Sequence, residues 1–277
     1  MKIKDILNDI NNEQKLALEQ VLNLSGPELI VNKDRELTKK EYKEYQNINK
    51  KLEKGQSIQY ILKKANFYGN EFYVNRNVLI PRPETEELVR ITNELIKKHL
   101  KQELNILDIG TGSGIIAITL KKLNNTYNVT ATDISRKAIR VAQKNSKKHN
   151  AEINFIKTDL YNGINDKYDV IISNPPYLDV NSINIEEKVR KNEPHIALFA
   201  KNEGLYYYDR ILQNIGKILK NKYIIAFEIG ENQGLKIKNI ANKYLPKAKV
   251  FIKQDYNNHD RYVFILGGIK DEKLKNI

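Results

Sequence analysis

Short stretches of this chain carry residue types that can do chemistry. One is Asp108-Ile-Gly110-Thr111-Gly112-Ser113-Gly114, a glycine loop with an acid two residues ahead of it. Glycines let a backbone turn tightly and approach a ligand. The spacing is Gly-x-Gly-x-Gly, not the Gly-x-Gly-x-x-Gly of dinucleotide binders, and no Lys-Ser/Thr pair follows to cradle phosphate. A carboxylate beside such a loop repels pyrophosphate, but it can hold an ammonium directly or through water. S-adenosyl-L-methionine offers an ammonium and a sulfonium and no phosphate. Asp133 ends the next strand-like segment, where an acid can take ribose hydroxyls. Asp159 follows the third such segment and can accept from an adenine amino group, with Leu160 against the ring face. Taken alone, Asp133 could be a helix cap beside Ser135. Taken with the loop and the other acids, it reads as part of a cofactor site.

A second stretch, Ser173-Asn174-Pro175-Pro176-Tyr177, closes the apolar run Tyr168-Asp169-Val170-Ile171-Ile172. An amide or aromatic-amine nitrogen is a poor nucleophile because its lone pair is delocalised. It attacks a methyl carbon only when that pair is aimed. The Asn174 side-chain carbonyl and the Pro175 main-chain carbonyl can each accept one N–H of a substrate NH2. The prolines fix φ and bring no N–H to compete. Tyr177 supplies a flat face for a planar group or a methyl cation. Catalysis is then mostly orientation, with in-line transfer and no metal or strong base. A strand-ending Pro-Pro turn is the plainer account in isolation. Downstream of the loop and acids, Asn174, Pro175 and Tyr177 are the expected catalytic groups, with Pro176 completing the clamp.

These residues need elements to position them. From Leu104 onward, strand-like segments at 104–109, 128–132, 152–157, 168–173, 223–229, 248–254 and 261–266 alternate with helix-like ones at 115–123, 135–148, 204–219 and 233–243. That alternation predicts a doubly wound, mainly parallel sheet of the α/β class. The last two strands are joined by Asn257-Asn258-His259-Asp260, too short for a crossover, so they should form an antiparallel hairpin. In such sheets ligands sit beyond the carboxyl ends of the strands, where strand order reverses. The strand ending at Ser173 should therefore lie beside the glycine-loop strand. Ahead of this domain (101–277), residues 66–100 read as a hairpin over Phe67 to Ile80 and a helix entered at Pro81-Arg82-Pro83-Glu84. Residues 1–65 read as a small helical bundle. Ile3, Ile6, Leu7 and Ile10 share a face, a second helix ends near Gly26-Pro27, and Thr38 with Glu41 forms a capping box.

Composition narrows the classes. The chain has 277 residues, 40% hydrophobic, enough for a core domain plus a small one. No run is long and apolar enough for a membrane span, and Met1-Lys2-Ile3-Lys4-Asp5 lacks the apolar stretch of a secretory signal. The absence of cysteine excludes disulfides and suits the cytoplasm. His99, His149, His195 and His259 lie too far apart for a helical metal site. The net charge of +13 is scattered, without a long basic block, and reads as a lysine-rich solvated exterior.

The loop and the Asn174-Pro-Pro-Tyr177 stretch together resemble the Rossmann-like methyltransferases that act on amino or amide nitrogen. Gln59-Tyr60-Ile61-Leu62, Phe67-Tyr68-Gly69, Val78-Leu-Ile-Pro-Arg-Pro-Glu-Thr-Glu86, Phe227-Glu228-Ile229-Gly230 and Asp255…Asp260-Arg261 are similar to the PrmC/HemK family. Leu79 to Glu86 is the most specific part. The resemblance implies S-adenosyl-L-methionine as cofactor and, as substrate, the glutamine of the Gly-Gly-Gln motif in class-1 peptide chain release factors. By motif, Gly110 to Gly114, Asp133, Asp159, Leu160 and Asn174 would contact the cofactor, with Asp108 the acid read above for its ammonium, and Asn174 to Tyr177 would hold the glutamine. Leu160 departs from relatives that often carry an aromatic there. Residues 1–65 would dock the protein substrate, and the expected state is a cytoplasmic monomer without stable nucleic-acid binding. The alternative is an adenine or cytosine amino-methyltransferase of DNA or RNA. It shares the clamp but normally brings a target-recognition region, and none is visible. A non-catalytic binding module is disfavoured by the intact clamp.

Overall fold

Apolar strand residues that alternate in direction must be covered on both faces. In the computed structural model, which describes residues 1–100, 103–179, 181 and 187–269, this is how the core is divided. Ile106, Val170, Ile224 and Phe264 join one apolar cluster with Leu88, Leu95, Ile116 and Leu120. Their chain neighbours Leu107, Ile171, Ile225 and Val263 join the other, with Tyr208, Ile211 and Ile237. Each such aliphatic side chain is worth roughly 1.5–3 kcal/mol when fully buried.

Residues Met1–Lys64, with a short helix at Glu187–Asn192, form one compact unit. Its helices are α1 (Ile3–Leu7), α2 (Asn12–Leu22), α3 (Gly26–Val31), α4 (Lys39–Glu53) and α5 (Ile58–Leu62). Ile3, Leu18, Leu29, Tyr45, Ile48 and Ile58 make its core. Thr38 accepts from the Glu41 amide and Glu41 reaches back to the Thr38 amide, the reciprocal cap read from sequence. Gly26-Pro27 does not end a helix but opens α3. Ser25 and Glu28 cap it, and proline is tolerated in a first helical turn. Lys188 pairs with Glu13, and Asn192 Nδ2 donates to the Gly55 carbonyl at 2.7 Å.

The second unit begins at Ala65. The hairpin β1 (Lys64–Phe67) and β2 (Asn70–Tyr73) turns at Tyr68-Gly69, both at positive φ as a type I′ two-residue turn requires. It is shorter than the stretch to Ile80 read from sequence. Val78 and Ile80 are buried, but as a loop leading into two prolines, which favour extended backbone ahead of them. Then come α6 (Pro83–His99), β3 (Asn105–Ile109), α7 (Ile115–Leu123), β4 (Asn128–Asp133), α8 (Arg136–Lys148), β5 (Asn154–Lys157) and β6 (Tyr168–Ser173). After the short pair β7 (Leu178–Asp179) and β8 (Phe199–Ala200), with α9 (Glu187–Asn192) between them, follow α10 (Tyr206–Gln213), β9 (Leu219–Glu228), α11 (Gly234–Tyr244), β10 (Lys249–Gln254) and β11 (Asp260–Gly267). The stretch 204–219 is not one helix: α10 stops at Gln213 and a 3-10 turn, Ile215–Ile218, leads into β9.

The seven strands of the main sheet run in the order β10-β11-β9-β6-β3-β4-β5. Pairs β6–β9, β6–β3, β3–β4 and β4–β5 are parallel, while β11 is antiparallel to both β9 and β10. The terminal antiparallel hairpin and the pairing of the Ser173 strand with the glycine-loop strand are as the sequence pattern predicts. Strand order reverses at β3, so the carboxyl ends of β3, β4 and β6 share one edge. Among the described residues no helix is long and apolar enough to cross a membrane.

Candidate active site

The ends of β3, β4 and β6 open into a cavity of about 250 Å3. Gly110, Gly112 and Gly114 all take positive φ, at 76°, 56° and 84°. A Cβ built on Gly110 or Gly112 would meet nothing within 4 Å, so the loop leaves open space where side chains would stand. Gly114 differs: its Cβ would lie 3.0 Å from Ile118 Cδ1 and 3.1 Å from Ala142 Cβ, so this glycine lets α7 approach α8. The Gly110 and Thr111 amides both donate to the Thr132 carbonyl. Behind the loop, buried Asn145 donates Nδ2 to the carbonyls of Ser113 and Tyr73 and accepts from the Tyr73 amide, which pins the loop to β2. Gly110 to Ser113 line the cavity and Gly114 does not.

The expected acids take different places. Asp133 lines the cavity. Its Oδ2 accepts from the Gly112 amide at 2.9 Å and its Oδ1 from the Ser135 amide at 2.7 Å. Burial pushes its pKa up against those bonds. Each carboxylate oxygen has a further lone pair, so a pair of hydroxyls can still be accepted. Ser135, not Asp133, caps α8, through the Ala138 amide. Asp108 is not on the cavity wall. It is wholly buried beneath the loop, where the Thr111 hydroxyl donates to its Oδ2 at 2.6 Å. Among the described residues its Oδ1 has no partner at hydrogen-bonding geometry, although the Ala117 amide is near enough to favour the ionised form. Burial pushes this carboxyl up to about 7, against the Thr111 bond. Of the two routes to an ammonium expected from the sequence, direct or through water, this position behind the loop leaves the indirect one. The buried, unmatched oxygen of Asp108 and the empty Cβ positions of Gly110 and Gly112 fit a cationic ligand held against this loop.

Asp159 and Leu160 also line the cavity. Leu160 adopts φ 54°, a left-handed conformation rare for a leucine. Both Asp159 oxygens are taken by Arg210, Nη2 to Oδ2 at 2.8 Å and Nη1 to Oδ1 at 3.2 Å. The Arg210 guanidinium stands 5.4 Å over the Tyr206 ring. Sequence reasoning missed Arg210 and Tyr206, which both line the cavity from α10. Their spacing of one helical turn was the available signal.

The clamp is held from behind. Ser173 Oγ donates to the Ile109 carbonyl at 2.6 Å and so ties the ends of β6 and β3. Asn174, Pro175 and Pro176 line the cavity. Asn174 Nδ2 donates to Thr85 Oγ1 at 3.1 Å, and Thr85 Oγ1 donates to Glu228 Oε2 at 2.6 Å. Tyr177 is not among the cavity-lining residues. Its hydroxyl donates to Glu228 Oε1 at 3.3 Å, which anchors it toward β9. The Tyr177 carbonyl accepts from Gln233 Nε2 at 2.9 Å. A Cβ on Gly204, at φ 83°, would fall 2.0 Å from that carbonyl oxygen. On the facing wall, Glu193 pairs with Arg82 and accepts from the Ile80 amide, fixing the loop that enters α6. Thr85 and Glu228 lay within stretches already singled out as motifs, but nothing in their spacing joined them.

Comparison with known proteins follows this division. Residues 8–62 match the model of the PrmC N-terminal domain and residues 87–192 that of the methyltransferase small domain. A Bacillus cereus protein named release factor glutamine methyltransferase is 38% identical over 258 residues, covering 91% of each chain. A Staphylococcus aureus protein of the same name is 42% identical over 215 residues, 76% of this chain and 75% of that one. In fold, a methyltransferase from Pyrococcus furiosus superposes with a TM-score of 0.55 at 18% identity, over 80% of this chain and 99% of that one.

Proposed function

This chain belongs to the family of release factor glutamine methyltransferases, and on that premise we propose how its site works. The enzyme moves a methyl group from S-adenosyl-L-methionine to the side-chain nitrogen of the glutamine in the Gly-Gly-Gln motif of class-1 release factors. The observation that carries this reading is one wall: Asn174, Pro175 and Pro176 line the same cavity as Gly110 to Ser113 and Asp133. A nitrogen clamp and a phosphate-free nucleoside cradle thus face one space.

When bound, the cofactor supplies an electrophilic methyl on a sulfonium. Asp108 would bias the loop toward the ammonium from behind Thr111, Asp133 would accept from ribose hydroxyls, and Asp159 with Leu160 would frame the adenine. Asn174 Oδ1 and the Pro175 carbonyl accept the two N–H groups of the glutamine amide and turn its lone pair toward the methyl. A nitrogen held this way would form its C–N bond as the S–C bond is given up, the electron pair would stay with sulfur, and the methylated amide would release a proton to solvent. Orientation supplies most of the rate, up to about 7–11 kcal/mol of barrier for well-aligned partners. Residues 1–65 dock the release factor.

Asn174→Ala tests this assignment. Turnover should fall by about 10²–10³, the usual loss for one transition-state hydrogen-bonding group, with cofactor affinity changed only a few-fold. Turnover near the wild-type rate would remove Asn174 from the reaction.

A further inference from the structure

Glu228 is a wholly buried carboxylate that the transfer step itself does not use. Its two oxygens nonetheless reach both ends of the clamp. Oε2 accepts from Thr85, which holds Asn174, and Oε1 accepts from Tyr177.

The chain of bonds has a direction. A hydroxyl has one proton, and an ionised carboxylate only accepts. With Glu228 ionised, the Thr85 proton points at Glu228 at 2.6 Å. The Thr85 oxygen then has only lone pairs to offer, so the Asn174 group 3.1 Å away must be the amide nitrogen. The Asn174 carbonyl oxygen is therefore the end left for a ligand, and it accepts no hydrogen bond from the described residues. Were the amide reversed, it would present an NH2 to a substrate NH2, donor against donor.

We propose that Thr85 and Glu228 are positioning residues of the transfer reaction: their directed bonds fix which end of the Asn174 amide meets the substrate and thereby select an NH2 group as methyl acceptor. This rests on the glutamine-methylating reading above. It also gives the clamp a sensitivity to protons. Once Glu228 is protonated it can donate to Thr85, Thr85 can donate onward, and either orientation of Asn174 is satisfied.

The groups around Glu228 bear on that protonation. Thr85 and Glu84 face it from α6. Tyr177 comes from the clamp, and the Tyr208 hydroxyl, from α10, donates to its main-chain carbonyl at 2.7 Å. Arg261 and Tyr262 approach from β11, with Arg261 also paired to Asp255 at 3.2 Å. Burial is the largest influence and pushes the Glu228 carboxyl up to about 7; the Thr85 bond and Arg261 oppose it and Glu84 adds to it.

The test uses the full chain with a release factor and S-adenosyl-L-methionine, and compares Thr85→Val, Thr85→Ser and Glu228→Gln. Thr85→Val keeps the shape and removes the hydroxyl. It should lower kcat by about 10–100-fold, as loss of an aligning contact does, while KM for the factor and Kd for the cofactor stay within about threefold. Thr85→Ser restores the hydroxyl and should recover most of kcat. Glu228→Gln should flatten the acid limb of the kcat–pH profile, because its amide serves either direction at every pH. Thr85→Val turning over at the wild-type rate, or Thr85→Ser no better than Thr85→Val, overturns the proposal. A second readout needs no turnover: in wild-type protein labelled with ¹⁵N-asparagine, the Asn174 Nδ2 protons should shift with pH around a midpoint near about 7. Asn174 resonances that ignore pH overturn the proposal even if the methyl acceptor is some other group. A wild-type enzyme inactive on glutamine, with Asn174 titrating as described, overturns the functional reading alone.

Discussion

Replacing Asp108 by Asn separates what the buried acid does for binding from what it does to the fold. In the folded chain burial raises its carboxyl from an ordinary 3.8 to about 7. Three pH units of displacement at about 1.4 kcal/mol each give about 4 kcal/mol. The sign follows from proton counting. Between those two values the folded state holds a proton that the unfolded state has released, so stability falls as pH rises through this window and levels off above about 7. From pH 5 to pH 8 this one carboxyl therefore withdraws about 3 kcal/mol from the wild-type protein. Asn has the same shape and no charge, so Asp108→Asn should lack that component. Urea unfolding of cofactor-free protein, wild type against variant, measures it. The variant's advantage should grow by about 3 kcal/mol between those pH values. Cofactor affinity should move the other way and weaken by about tenfold or more, since the loop loses the buried countercharge beneath Thr111. An advantage that is flat with pH would refute the assigned burial. Unchanged cofactor affinity would refute the electrostatic role.

Further perturbations reach other parts of the site. Gly204→Ala should destabilise by roughly 1–3 kcal/mol or more, seen as a lower Tm, because a Cβ there would fall 2.0 Å from the Tyr177 carbonyl oxygen and φ is 83°; an unchanged Tm would contradict this packing. Arg210→Ala releases Asp159 from its fork and removes the stack on Tyr206. Cofactor Kd measured by calorimetry should rise several-fold with kcat nearly constant at saturation, and a kcat loss at saturating cofactor would place Arg210 nearer the reaction. Gly112→Ala fills an open position at φ 56° and should weaken cofactor binding more than it lowers Tm, whereas the same change at Gly114, wedged against Ile118 and Ala142, should act mainly on Tm.

Much of the fold was legible because its signals are local. Alternating runs such as Ile106-Leu107 and Val170-Ile171 need two covered faces, and the short link after Gln254 permits only an antiparallel return. Where local signals have two meanings the sequence misled. Gly26-Pro27 reads equally as an end or a beginning, and the Ser25–Glu28 cap decides it. Val78-Leu79-Ile80 has strand-like composition, but adjacent prolines and the Glu193 bond to the Ile80 amide make it a wall of the cavity. The glycine loop, Asp133 and Asn174-Pro-Pro could be singled out because each is a compact pattern with its own chemistry. The Thr85–Glu228 and Asp159–Arg210 pairs could not. Their partners lie on different elements, and only the strand order β9-β6-β3-β4-β5 and the helices packed on it bring them together. Asp108 and Tyr177 show the other limit: residue type suggested contact with a ligand, while the burial of Asp108 and the bond from Tyr177 to Glu228 set both off the cavity wall.

The central claim is that the clamp acts on a glutamine amide. Labelled S-adenosyl-L-methionine should be offered with an intact release factor, the same factor with the Gln of Gly-Gly-Gln replaced, and bulk DNA and RNA, with modified sites located by mass spectrometry. Label confined to the intact factor and placed on that glutamine is the predicted result. Label on nucleic acid, or label on the factor that survives the Gln replacement, would contradict it.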